Sequence, residues 1–349
     1  MKLSEFDYIL PDELIAQLPT EKRVDSKMMV LNKSSKTIEH KHFFDIVDLL
    51  DSDDVLILND TKVIPARIFG KKTTGASVEI FLLKEKENKF WEALLKPSKR
   101  INEGTIITVS DDLAVKAHTI IEGGKWLVEL VYSGDIYNVL DKVGNIPLPP
   151  YIERKLSTED LKKLDFERYQ TVFAQNAGSV AAPTAGLHFS LEVLEKLKEK
   201  GVQVGFVTLN VGLGTFRPVK CENITEHKMD TESFEISQET ADLINNAKKN
   251  NKKIVAVGTT SVRTLETAFE KFGEIKACKD SSQMFIYPPY QFKVVDKLIT
   301  NFHLPKSTLL MLTSALAGKD FVFEAYKKAI AHHYRFYSYG DCMFIHPGV

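Results

Sequence analysis

The sequence is short of several things, and each shortage excludes a class of protein. Only three cysteines occur in 349 residues, Cys221, Cys278 and Cys342, far apart and without a C-x-x-C pair. Neither a disulfide framework nor a cysteine zinc site is compatible with that spacing. Long apolar runs are missing: "TLLMLTSALAG", the most apolar stretch, is too short and too polar to span a bilayer. The N-terminal "MKLSEFDYILPDELIAQLP" carries acids throughout and lacks the basic-then-apolar pattern of a secretion signal. These absences predict a soluble, cytoplasmic protein with no membrane partner. An excess of charge is missing too, with 46 Lys and Arg against 47 Asp and Glu and a net charge of −1. No global field attracts a polyanion, so any nucleic-acid contact must use a local patch. Neither the dinucleotide fingerprint nor the P-loop is present, which leaves NAD and ATP without direct support.

What is present is the material of a globular protein, 44% hydrophobic and 27% charged, and long enough for two domains. Pro11, the acids Asp12 and Glu13, and the apolar Leu14, Ile15 and Leu18 predict a short opening helix. "KMMVLN" and "KTIEHKHF" predict a hairpin, "FFDIVDLL" a short helix and "DVLILND" a buried strand. From Thr61 the texture changes. "VIPARIFGKK", "GASVEIFLLKEK", "KFWEALLKP", "GTIITVS", "LAVKAHTII" and "KWLVELVY" are closely spaced strand candidates separated by glycines. Such a series predicts a small, mostly antiparallel barrel or sandwich over residues 62–148, closed by a helix and a proline-rich exit. Residues 1–61 and 149–349 then form the two parts of a main domain. In its second part strands and helices alternate, which predicts α/β architecture with mostly parallel strands.

In such folds ligands bind where strands end and helices begin, and the unusual residues collect there. "VTLNVGLGTFRP" ends one strand with Asn210, Gly214, Thr215 and Arg217; "VAVGTTSVRTLE" ends another with Thr259, Thr260 and Ser261 before a helix carrying Arg263. "LITNFHLPKST" ends a third with Asn301 and His303. A helix N-terminus offers free N–H groups, so the "GTTS" turn suits a carboxylate or ribose hydroxyls, although Gly-Thr turns are also ordinary strand-to-helix connections. "SVAAPTAGLHFS" is small and nearly uncharged, with Ser190 as the N-cap of the next helix. His188 lies just before that helix, whose dipole favours a neutral imidazole; the ring is either a general base or a loop-stabilising group. "YRFYSYGDCMFI" interleaves aromatics with Arg335 and includes Tyr339, a pattern that either stacks bases or closes a core. Lys96, Lys99 and Arg100 in "KPSKR" place positive charge on the β module, for phosphate or for solvent. The spacing of His227, Asp230 and Glu232 resembles no metal site, so no metal is expected.

Taken in order, "LPDELIAQLP", "LILNDTKVIPARIFG", "PLPPYIER", "YQTVFAQNAGSVAAPTAGLHFS", "VTLNVGLGTFRPV", "AVGTTSVRTLE", "LITNFHLPKSTLLMLTSALAG" and "YRFYSYGDCMFI" resemble the S-adenosylmethionine:tRNA ribosyltransferase-isomerases of queuosine biosynthesis. The resemblance spans essentially the whole chain. It implies a barrel-like α/β main domain interrupted by a small β-barrel domain. It also implies transfer and isomerisation of the ribosyl group of S-adenosylmethionine onto 7-aminomethyl-7-deazaguanine at the wobble position of tRNA. Epoxyqueuosine forms, and adenine and methionine leave. S-adenosylmethionine is then a consumed co-substrate, no resident cofactor is needed, and the protein is a monomer acting on the anticodon arm. Two positions depart from the family pattern: Asp230 stands where a histidine is usual and Lys27 where an arginine is usual.

On that resemblance His188 is the expected base, with Asp60 and His303 as further catalytic candidates. Thr184 and Gly186 belong to a pocket wall of small residues that admits substrate to the backbone. Thr259, Thr260, Ser261 and Arg263 are expected at the ribose hydroxyls or the methionine carboxylate, with Asn210, Gly214, Thr215, Arg217 and Asn301 nearby. Arg67, Lys96, Lys99, Arg100, Arg335 and Tyr339 are the expected RNA contacts. A methyltransferase using the same donor, or a non-catalytic RNA-binding protein, are the rival readings; the first requires a glycine-rich first strand turn that cannot be placed here.

Overall fold

A computed structural model describes residues 1–154, 158–212, 214 and 219–348. In chain order the first part comprises β1 (Lys27–Asn32), β2 (Thr37–His42), α1 (Ile46–Leu49), β3 (Asp54–Asn59) and β4 (Thr61–Val63). There follow β5 (Arg67–Lys72), β6 (Ser77–Glu85), β7 (Phe90–Lys96), β8 (Ile106–Ser110), β9 (Leu113–Ile121), β10 (Lys125–Tyr132) and α2 (Ile136–Val143). The second part contains α3 (Glu159–Arg168), β11 (Asn176–Ser179), α4 (Leu191–Glu199), β12 (Gln203–Leu209), β13 (Glu232–Ile236), α5 (Gln238–Lys249) and β14 (Lys253–Val257). It continues through α6 (Gly258–Phe272), β15 (Cys278–Ser282), β16 (Lys297–Asn301), α7 (Thr308–Ala317), α8 (Lys319–Ala331) and β17 (Cys342–His346).

The large sheet has nine strands in the order β15-β13-β12-β3-β14-β16-β17-β1-β2. Its centre, β12-β3-β14-β16, is parallel, and antiparallel pairs extend it on both sides. The sequence of β3, DVLILN, is buried along its whole length because both faces are covered. Val55 and Ile57 join Ile244 of α5 and Val262 and Leu265 of α6. Leu56 and Leu58 face the other way, onto Phe43, Ile46 and Val193 and Leu197 of α4. A three-layer core follows from that alternation.

The smaller unit is a closed six-stranded barrel, β10-β7-β6-β5-β8-β9, with every neighbouring pair antiparallel. Alternate residues point inward: Val78, Ile80 and Leu82 of β6 and Trp91, Ala93 and Leu95 of β7 fill the interior with Ile68, Val115 and Val128. Ile136, Val139 and Leu140 of α2 join the same core. The chain leaves the main sheet along β4 and returns along β11, and these two strands pair in parallel. Ile64 N–H donates to the Ser179 carbonyl across this double connection.

Two expectations need correction. The opening helix is only a single 3₁₀ turn, Asp12–Leu14. Ile15 is instead extended and bridges to Phe336, with Phe336 N–H donating to Leu14 O and Ala16 N–H to Phe336 O. Tertiary pairing outcompetes the local helical pattern there. The edge strand β15, its neighbour β13 and helix α3 had no sequence reading. α3 is nearly uniformly polar, EDLKKLDFER, and so carries no apolar stripe.

Gly144 fixes the junction between α2 and the main domain. A Cβ built there would collide with the Pro65 carbonyl oxygen and lie 2.7 Å from the Leu140 carbonyl. Backbone atoms cannot step aside as a side-chain tip can. Gly144→Ala should therefore lower stability by about 1–3 kcal/mol, read as a drop in thermal midpoint. An unchanged midpoint would show that the junction tolerates displacement.

Candidate active site

β14 runs into α6 without a loop. Gly258, at φ +82, makes the turn, a conformation open to glycine and costly for other residues. The α6 N-terminus has no side-chain cap, since Val257 occupies the capping position. Thr259 and Thr260 therefore stand beside uncapped N–H groups, and Thr260 Oγ1 is buried without a hydrogen-bond partner. One strand over, β16 ends at Asn301, followed by Phe302 and His303. With Thr184, Tyr337 and Ser338 these residues enclose a cavity of about 70 Å³.

His303 is 8% exposed, and its Nε2 lies 2.8 Å from Thr300 Oγ1. Its main chain is fixed on both sides, by Tyr8 Oη donating to the carbonyl at 2.5 Å and the N–H donating to Tyr326 Oη at 2.8 Å. Burial pushes the imidazole pKa down to about 3, so the ring is neutral at physiological pH. Nε2 is engaged by Thr300, and His303 lines the cavity.

His188 occupies a different position from the one expected. It lies behind the cavity wall, 4% exposed, against the ring of Phe43. Its Nδ1 is 2.7 Å from Ser26 Oγ and its Nε2 is 3.1 Å from Asn301 Nδ2. Ser26 Oγ also donates to Arg23 O at 3.2 Å, and Asn301 Nδ2 can only donate. The bonds therefore assign the proton to Nδ1 and make Nε2 the acceptor. Burial, reinforced by the charges of Arg335 and Arg23, lowers its pKa to about 3. With both nitrogens engaged, the ring orients Asn301. Asn301 in turn donates to Tyr337 O at 3.2 Å and accepts from Thr184 Oγ1 at 3.0 Å. Tyr337 sits at φ +70, a strained conformation that this bond helps to hold.

Other expected residues fall into three groups. Thr184, Thr259, Thr260, Asn301 and His303 come together around the small cavity. Asn210 lines a second cavity, of about 720 Å³, between barrel and main sheet, with Trp91, Glu92, Lys125 and Tyr137 opposite it. Gly214 and Arg263 line a third, of about 460 Å³. Val211 is shared by the first two and Leu309 by the first and third, while Met229, Asp230 and Glu232 border both larger cavities. Asp60 is buried at the junction, accepting from Thr208 Oγ1 at 2.6 Å and Asn176 Nδ2 at 3.0 Å, so it braces the junction. Thr215 and Arg217 lie outside the described residues.

Several residues are turned away from the chemistry. Ser261 is fully buried and its hydroxyl donates to Val257 O at 2.8 Å, back along its own helix. Gly186 does not open the wall to substrate. A Cβ there would lie 2.8 Å from Phe173 Cζ and 2.9 Å from Thr171 Cγ2, so its smallness serves interior packing. Tyr339 is 4% exposed, and its hydroxyl donates to Asp165 Oδ1 at 3.1 Å, which rules out base stacking in this structure. Arg335 is tied to Leu18 O at 3.1 Å and, through its N–H, to Asp341 Oδ2 at 2.8 Å. Arg67 is exposed and pairs with Glu79 at 2.6 Å. Lys96, Lys99 and Arg100 are exposed at the end of β7 remote from the large cavity: Lys96 pairs with Glu79, whereas Trp91, in that cavity, pairs with Glu85. Trp91 and Glu92 escaped the sequence reading because they alternate like any barrel residue, and Tyr137 because it sits on α2 like any helix residue.

Both buried histidines are neutral in the folded chain and ordinary in the unfolded one. Their stabilising effect is complete above the unfolded pKa of about 6.5 and declines as pH falls toward 3. The thermal midpoint should thus fall between pH 6.5 and 4, and imidazole NMR signals of both rings should not titrate between pH 8 and 5. Titration near 6.5 by either ring would contradict its burial.

Comparison with known proteins fits this geometry. Residues 3–345 match the family described as queuosine biosynthesis protein. A relative from Sulfurihydrogenibium sp. (strain YO3AOP1), named S-adenosylmethionine:tRNA ribosyltransferase-isomerase, is 54% identical over 346 residues, covering 99% of this chain and 100% of the relative. The crystal structure of S-adenosylmethionine tRNA ribosyltransferase from Thermotoga maritima is 38% identical, covers 98% of this chain and 100% of that one, and superposes with a TM-score of 0.56. By sequence along nearly its whole length, and by its arrangement of large sheet and inserted barrel, the chain belongs to the queuosine biosynthesis protein family.

Proposed function

We propose that this protein transfers and isomerises the ribosyl moiety of S-adenosylmethionine onto the aminomethyl group of 7-aminomethyl-7-deazaguanine at the tRNA wobble position. The product is epoxyqueuosine-tRNA, and adenine and methionine are released. The observation that carries the reading, beside family membership, is the contiguity of the cavities. A small pocket lined by threonines, Asn301 and a neutral histidine lies next to a larger space between two structural units, with Val211 in the wall of both. A two-part donor and a splayed nucleotide both need room at one place.

The reaction requires a base for a proton on the carbon beside the sulfonium. It also requires donors for the ribose hydroxyls and a neutral acceptor amine. The sulfonium is the electron-withdrawing group, so the chemistry calls for no resident cofactor. His303 is the proton acceptor best supported by position, because it lines the cavity while His188 stands behind it. Burial makes it a weak base at rest, so the proton it takes is passed on rather than held. Thr259 and Thr260, with the uncapped N–H groups of α6, suit the ribose hydroxyls. Ser26, His188 and Asn301 keep Thr184 and the Tyr337 backbone in register.

The larger cavity suits the acceptor base, with Trp91 and Tyr137 on the barrel wall. Lys96 lies about 17 Å along β7 from Trp91, at ~3.4 Å per residue, and Lys99 and Arg100 follow it in the next turn, within reach of neighbouring phosphates of an anticodon arm. Replacing the three by alanine should weaken tRNA binding and flatten its salt dependence while leaving KM for the donor unchanged. Equal salt slopes would place the RNA elsewhere. The reading also has the protein act as a cytoplasmic monomer, which sedimentation would test.

The deciding assay follows free adenine and the mass of the modified nucleoside with S-adenosylmethionine and tRNA carrying 7-aminomethyl-7-deazaguanine. Adenine release with a matching ribosyl-derived gain is expected. A methyl-sized gain with S-adenosylhomocysteine would identify a methyltransferase instead. His303→Gln should lower turnover on the order of 10²–10⁴-fold in folded protein, whereas near-normal turnover would remove His303 from the proton transfer.

A further inference from the structure

Among the described residues, Arg263 is the one strongly buried cation in the walls of these cavities, at 5% exposure, and it lines the 460 Å³ cavity. It is fixed on two sides. Nη1 pairs with Glu232 Oε2, and Nε donates to Met284 O at 3.2 Å. Glu232 is itself buried and accepts from Gly212 N–H at 3.0 Å through Oε1. The remaining nitrogen, Nη2, is buried with no hydrogen-bond partner among the described residues. An unpaired charged donor in such a place is costly, and a planar guanidinium pinned at two nitrogens is preorganised to accept an anionic oxygen on the third.

We infer that this cavity receives the amino-acid end of the sulfonium donor, with the α-carboxylate on Arg263. The inference rests on the proposed function and assigns one end of that substrate. The charge pattern favours a zwitterion over a polyanion. Among the described residues, Lys220, Lys228 and Arg263 line the cavity together with Glu226, Asp230 and Glu232, so their formal charges balance. His227 adds no charge, since burial lowers its pKa. An RNA phosphate would meet three carboxylates, whereas an α-amino acid brings an ammonium group to meet them. Position agrees as well. The cavity shares Leu309 with the small threonine-lined pocket, so a ribose at Thr259 and Thr260 and a methionine carboxylate at Arg263 would lie on neighbouring sides of that residue. Glu232 then acts as a positioning residue, and Thr259 and Thr260 are left for the ribose.

Decarboxylated S-adenosylmethionine, which keeps the sulfonium and amine but lacks the carboxylate, tests this with the unaltered protein. Adenine release on substrate tRNA should show kcat/KM lower than with S-adenosylmethionine on the order of 10- to 100-fold, mainly through KM. In Arg263→Lys, with cooperative unfolding verified, that ratio should collapse toward unity because the natural donor loses its advantage, while tRNA affinity stays unchanged. Equal kcat/KM for the two donors on the unaltered protein would overturn the inference, as would an undiminished ratio in folded Arg263→Lys. Loss of tRNA binding in Arg263→Lys with the ratio intact would assign the guanidinium to a phosphate and overturn it too. In all those outcomes S-adenosylmethionine still yields adenine and the proposed function stands. No adenine from S-adenosylmethionine itself would remove both.

Discussion

The site depends on one buried imidazole held neutral between side chains from distant parts of the chain. His188 joins Ser26, which precedes β1, to Asn301 at the end of β16, and through Asn301 reaches Thr184 and Tyr337. A charged ring could not serve, since its second proton would confront the donor group of Asn301. Desolvation therefore has a structural use here: by excluding the proton it fixes one tautomer and one amide orientation. The strand ends that carry the reactive residues are aligned by that choice.

Around this network the chain uses two kinds of economy. The parallel centre of the large sheet delivers Gly258 and Asn301 to the same edge, because neighbouring parallel strands end together. The barrel, inserted through the β4–β11 pair, brings a second wall to that edge and creates a space that neither unit has alone. Arg263 and Glu232 are buried as a pair, and the unsatisfied Nη2 of Arg263 lies beside the substrate-sized space.

Much of the frame was legible. The barrel strands follow the alternation of apolar residues, and the capping serine of α4 accepts from Val193 N–H as its position before the helix implies. The cluster of Thr259, Thr260, Asn301 and His303 followed from strand-end logic, because the chemistry of those residue types and the architecture pointed to one place. Tyr339 and Ser261 misled for a shared reason. Each residue type is ambiguous until its neighbours are known, and each found a partner in the interior, Asp165 and Val257 O respectively.

Local sequence by itself determined the alternation that builds the barrel, the parallel α/β centre, the absence of a disulfide framework, and a family signature spread along the whole chain. The tertiary structure decided which histidine faces the cavity. His188 and His303 are both neutral and equally deep, and only their partners distinguish them. The ring partners of His188 come from segments far away in sequence, 162 residues in the case of Ser26 and 113 in the case of Asn301. Hydrogen-bond roles depend on geometry within about 3 Å, and no local pattern of residues carries that information.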